Sequence, residues 1–151
     1  MKNLFNQADL QQTLQRIDNL TPTTQPQWGK MNVAQMLAHV NVAYEMTYDD
    51  IHSKPNFFMR LMLKAFVKKA VVGPKPYPKN GKTAPQFVTF GKEKDFEVEK
   101  KRLVDYLHKT QQLGATHFEG RENLSFDKLT ASEWNVLFAK HLDHHLTQFG
   151  V

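Results

Sequence analysis

The chain contains no cysteine. Disulfides and thiolate sites are therefore excluded, and any metal ion must be held by His, Asp or Glu. Internal repeats are also lacking, and strand signals are sparse: QFVTF at 86–90 is the one candidate. The first residues, MKNLFNQADL, lack the long apolar stretch and cleavage site of a signal peptide. An intracellular protein, cytoplasmic by default, is expected. The apolar stretch FFMRLMLKAFVKKAVV (57–72) carries Arg60, Lys64 and Lys68, which argue against a membrane span. No nucleic-acid-binding motif is present. The net charge of +5 is moderate, so no nucleic-acid partner is expected.

What is present is a chain of 151 residues, the size of one domain, spanning 1–151. A chain of this length buries roughly two thirds of its unfolded surface. Residues 7–19 read as an amphipathic helix, with Leu10, Leu14 and Ile17 on one stripe. TPTTQPQWG at 21–29 is a loop. A second helix runs from about 32 to 50. Asn32 and Gln35 are placed to cap it, and Val33, Met36, Leu37, Val40, Ala43, Tyr44 and Thr47 share a face. The third helical stretch, 57–72, has its basic residues four apart on an otherwise apolar surface. Docking onto the body of the protein is the expected fate of this segment; lying on an anionic membrane is the alternative. GPKPYPKNGKTAP at 73–85 cannot be helix. Residues 94–113 return to helix, with Phe96, Leu103 and Leu107 inward and Gly114 as the stop. Thr130 and Glu133 form a capping box that opens the last helix, and Gly150 lies just past its end. The sum is an all-α fold, for which a four-helix bundle with an inserted basic helix and a long proline-rich loop is the natural architecture.

The last helix ends KHLDHHLTQFG, with three of the seven histidines in five positions. At roughly 100° per residue, His141 and His145 fall within about 20° of Trp134, at the centre of the apolar stripe. His144 lies about 80° off, at the edge and toward water. Asp143 points the opposite way, flanked by Lys140 and Thr147. Two imidazoles four apart on a helix can bind one ion, provided a partner comes from elsewhere. His39 lies inside the apolar arc of the second helix and is the expected third ligand. Three nitrogens leave positions open for water or substrate, as catalytic sites do. The competing reading is a set of core histidines satisfied by carbonyls. His52, His108 and His117 read as surface or loop residues. Glu99 reads as an edge carboxylate, with a role beside the site as the alternative. No catalytic acid or base can be named from the residues.

Two segments, WGKMNVAQMLAHV (28–40) and LTASEWNVLFAKHLDHHLTQFGV (129–151), resemble the DinB/YfiT-like superfamily of metalloenzymes, and more narrowly a branch of it that is a domain of unknown function. The resemblance implies a DinB-like four-helix bundle in an up-down-down-up arrangement. It implies a zinc, nickel or other divalent ion on His39, His141 and His145. It also implies a thiol-dependent transferase or a hydrolase acting on a small molecule, with a low-molecular-weight thiol as cosubstrate, and a homodimer. Where that branch carries His-Pro before an FGxL stretch, this chain reads NLSFDKL, with Asn123, Leu124 and Asp127. A different substrate, or loss of activity, would follow if that histidine shapes the pocket. A non-catalytic protein that binds a metal or small ligand is the alternative function.

Overall fold

Apolar residues at helical spacing, each run opened by a capping side chain, build four longer helices. They are α1 (Gln7–Asp18), α2 (Val33–Tyr48), α5 (Phe96–Phe118) and α6 (Ala131–Gln148). In this computed structural model, which describes residues 1–151, they pack around one shared core. Two short helices, α3 (Phe57–Met62) and α4 (Lys68–Val72), are joined by a π-helical turn at Leu63–Val67. A two-stranded antiparallel hairpin of β1 (Glu122–Asn123) and β2 (Asp127–Lys128) pairs Glu122 with Lys128 and Asn123 with Asp127. The fold is mostly helical, as the periodicity implies. No helix is long and apolar enough to cross a membrane.

The caps explain where the helices start. Asn32 and Gln35 satisfy each other's backbone N–H groups, as do Thr130 and Glu133. Asp95 accepts from the N–H of Val98, so α5 begins at Phe96 rather than at 94. Helix α5 also runs past the expected stop. Gly114 adopts φ 70° and breaks the ladder, but the chain resumes one turn that delivers Phe118 to the core. The Phe118 ring lies 5.5 Å from Trp134 and 5.2 Å from Phe5. Burying that side chain is worth about 1.5–3 kcal/mol, enough to continue the helix beyond a glycine.

Helix α2 is the central element. Every residue from Val33 to Glu45 is buried, because α5 covers one side and α6 another. Its aromatic contact with α6 is a stacked pair, Tyr44 on Phe138, with centroids 4.7 Å apart. The candidate strand at 86–90 is not a strand. Pro85–Phe87 form a 3₁₀ turn, and the segment is tied to α2 instead of to a sheet. The Thr89 hydroxyl donates to the Gln35 carbonyl at 2.8 Å.

Candidate metal centre

His39 stands midway along α2, and His141 and His145 stand one turn apart on the facing side of α6. Their rings form a nearly equilateral triangle. The centroids are 4.9 Å apart for His39 and His141, 4.6 Å for His39 and His145, and 4.9 Å for His141 and His145. One ligand atom from each lies within 4.8 Å of the others. His39 and His145 are buried and His141 is partly exposed.

The outer nitrogens of two of these rings have defined partners. His39 Nδ1 donates to the Phe87 carbonyl at 2.7 Å. His145 Nδ1 donates to Gln148 Oε1 at 2.8 Å. The amide of Gln148 is oriented independently, because its Nε2 donates to the Trp28 carbonyl at 2.7 Å. Both partners are acceptors. Each therefore places the ring proton on Nδ1 and leaves the Nε2 lone pair bare. His39 Nε2 faces His141 Nε2 at 3.0 Å. Neighbouring ligands about 2.1 Å from a shared zinc ion stand about 3.0–3.4 Å apart, so this pair already has ligand spacing.

Burial and mutual repulsion hold these rings neutral. Desolvation lowers the pKa of His39. It lowers His141 well below the usual imidazole value, helped by the three neighbouring histidines. It brings His145 down to about 3, helped by His39 and His144 and opposed by the Gln148 hydrogen bond. Neutral imidazole with a bare lone pair is the form that binds a divalent ion. The donor set, its protonation state and its outer hydrogen bonds all fit such an ion.

The walls come from loops. The Phe87 ring stands 5.5 Å from His39 and 5.8 Å from His141. Tyr77, in the proline-rich loop, stands 6.3 Å from His141 and 5.8 Å from His144. Trp28 stands 5.9 Å from His144. His144 is thus half-buried between two aromatic rings, not turned freely to water as the helical wheel implies. Burial lowers its pKa as well. Gly29 closes the corner. It sits at φ 87°, and a Cβ there would fall 2.5 Å from Gln148 Nε2, so a larger residue would displace the amide that orients His145.

Two expectations need correction. Lys140 is not on the solvent flank of α6. It is buried, and its Nζ donates to the carbonyls of Ala70, Gly73 and Lys75 at 2.8, 2.6 and 3.2 Å. Helix α4 and the proline-rich loop cover that flank, and Lys140 ties both down beside the histidines. Glu99 is not an edge residue either. It is buried, accepts from Asn41 Nδ2 at 2.9 Å and Arg102 at 2.8 Å, and touches none of the three clustered histidines. His52 pairs with Glu45, and His108 and His117 stay outside the cluster. The sequence reading did not identify Gln148, Tyr77 or the Phe87 carbonyl. Gln148 had a signal, since it stands three residues after His145 on the same helix. The other two come from loops and had none.

These features define a mostly helical protein with a histidine-only candidate metal centre between two core helices. The chain belongs to the DUF1569 family, a protein of unknown function, whose profile matches residues 2–150. No curated protein and no solved structure matches it significantly.

Proposed function

We propose that this protein holds one divalent metal ion on His39, His141 and His145 and acts through it on a small molecule, as a hydrolase or a thiol-dependent transferase. One observation carries the reading. His39 and His145 each give their outer N–H to an acceptor, so each aims a bare Nε2 lone pair at the cluster. Metal-bound histidines are oriented in this way. Three neutral donors leave coordination positions open, the pattern of catalytic rather than structural sites. The packing of α1, α2, α5 and α6 is consistent with a DinB-like four-helix bundle.

When bound, the ion would supply Lewis acidity. Zinc or nickel suits an all-imidazole set. The chain's own residues do the rest. The Phe87 carbonyl and Gln148 fix the tautomers. Phe87, Tyr77 and Trp28 wall the approach. His144, half-buried beside His145 and between Trp28 and Tyr77, would be a further neutral imidazole able to take up a proton there.

A second reading, a non-catalytic binding protein, draws on a different observation: the donor cluster contains no carboxylate to serve as a general base. Elemental analysis of the untagged protein and of His39→Ala, His141→Ala and His145→Ala tests the site. About one ion per chain, lost in each variant, is expected. Stoichiometric metal retained in all three would overturn the assignment. Steady, metal-dependent turnover in a screen of hydrolysis and thiol-transfer substrates would then decide for the enzyme.

A further inference from the structure

The segment from Phe57 to Val72 is attached to the protein by its polar side. Arg60 pairs with Glu122 at 2.8 Å, Lys64 with Asp127 at 3.2 Å and Lys68 with Glu133 at 2.9 Å. Lys54, just before it, also reaches Glu122. Only Leu63, Val71 and Val72 pack inward against the core. The apolar side therefore faces out. Phe57 is 84% exposed, Phe58 68%, Leu61 53%, Met62 40% and Phe66 72%. An amphipathic helix docked on its own ordinarily does the reverse.

Together with Met59, 49% exposed, these side chains expose on the order of 700 Å² of mostly apolar surface, taking about 200 Å² for each. That exceeds the largest patch on a typical monomer, about 300–600 Å². It approaches the roughly 800 Å² that each partner contributes to a standard interface. Phe and Met, which dominate it, are enriched in such interfaces.

Charge decides between occupants. A helix that lies on an anionic bilayer points its lysines toward the headgroups. Here Arg60, Lys64 and Lys68 are each neutralised by one of the chain's own carboxylates, Arg60 and Lys68 largely covered and Lys64 half-exposed. An acidic protein partner would find those same cations already paired. What remains outward is an apolar ridge whose one unpaired cation within 57–72 is the exposed Lys69, and a two-fold axis makes such a ridge its own complement.

We infer that the exposed side of α3, the π turn and α4 is the interface of a homodimer, in which the ridge centred on Leu61 and Met62 packs against the same ridge of a second copy. The full chain in the micromolar range should sediment at twice its 17.5 kDa. Phe58→Asp and Phe66→Asp should each raise the dissociation constant about 30-fold or more, as loss of an interface hot spot does. Both side chains are mostly exposed, so helicity and thermal midpoint should not fall beyond the loss due to dissociation itself.

The absence of cysteine allows a second measurement. Leu61→Cys should form an intermolecular disulfide on mild oxidation, whereas Gln112→Cys on exposed α5 should not. A monomer throughout the micromolar range, a dimer that both aspartate variants leave intact, or equal cross-linking of the two cysteine variants would overturn the inference. Flotation of a monomer with anionic phospholipid vesicles would do the same and assign the ridge to lipid.

Discussion

Gln148 is the residue whose replacement most directly tests how the histidines are held. It accepts from His145 Nδ1 at 2.8 Å and donates to the Trp28 carbonyl at 2.7 Å, and both it and His145 are buried. Gln148→Leu removes both contacts while keeping a similar volume. The buried His145 Nδ1 and the part-buried Trp28 carbonyl lose their partners, each at roughly 1–3 kcal/mol. The new apolar side chain offsets part of this, so the metal-free protein should lose about 2–4 kcal/mol. For a chain of this size that lowers the thermal midpoint by about 4–16 °C. Losing the acceptor also frees the His145 ring to turn, and metal affinity should fall about 10–100-fold. Competition titration of zinc against a chromophoric chelator measures the affinity, and thermal unfolding with excess chelator measures the stability. Gln148→Glu separates the two roles, because it keeps the acceptor and loses the donor. Its zinc affinity should stay near that of the parent. A leucine variant that binds zinc as tightly as the parent would refute the claim that Gln148 orients a ligand.

Lys140→Met keeps the packing of the aliphatic stem and frees three carbonyls at the end of α4 and in the proline-rich loop. Local opening made easier by about 1.4 kcal/mol should speed tryptic cleavage at Lys79 and Lys82 about tenfold, and an unchanged rate would remove Lys140 from that role. The metal-free protein should also weaken in mild acid. Burial lowers the pKa values of His39, His141 and His145 in the folded state, the last to about 3. An unfolded histidine titrates near 6.5, so below that pH the unfolded chain takes up protons that the fold refuses. The contribution is therefore fully present above about pH 6.5 and is lost as pH falls below it, down to about 3 in the case of His145, by up to about 1.4 kcal/mol per pH unit for each histidine. Urea unfolding of chelated protein at pH 7 and pH 5.5 measures it, and equal midpoints would contradict the assignment of three neutral rings.

The amino-acid sequence by itself determined the helices and the inward direction of the three histidines. Spacing is local information. Asn32 with Gln35, and Thr130 with Glu133, announce helix starts within a few residues, and a rotation of about 100° per residue places His39, His141 and His145 on buried faces. That their rings meet in one triangle is a matter of how α2 packs on α6. Tertiary structure decided the remainder, because each missed feature depends on groups distant in the chain. Lys140 looks solvent-exposed on a wheel and becomes buried only because α4 and the proline-rich loop lie over it. Glu99 becomes buried because Asn41 and Arg102 surround it. The QFVTF stretch has strand-forming residues but no neighbouring strand; its amides at Phe87 and Val88 bond within a local turn, and the Phe87 carbonyl and Thr89 hydroxyl bond to α2. The stripe of Arg60, Lys64 and Lys68 is visible in the sequence, but the side it turns outward is not. Glu122, Asp127 and Glu133, brought together by the hairpin and the start of α6, draw that stripe inward and leave the phenylalanines facing out. A periodic pattern specifies that two faces differ; which one meets the protein is fixed by what the rest of the fold places opposite it.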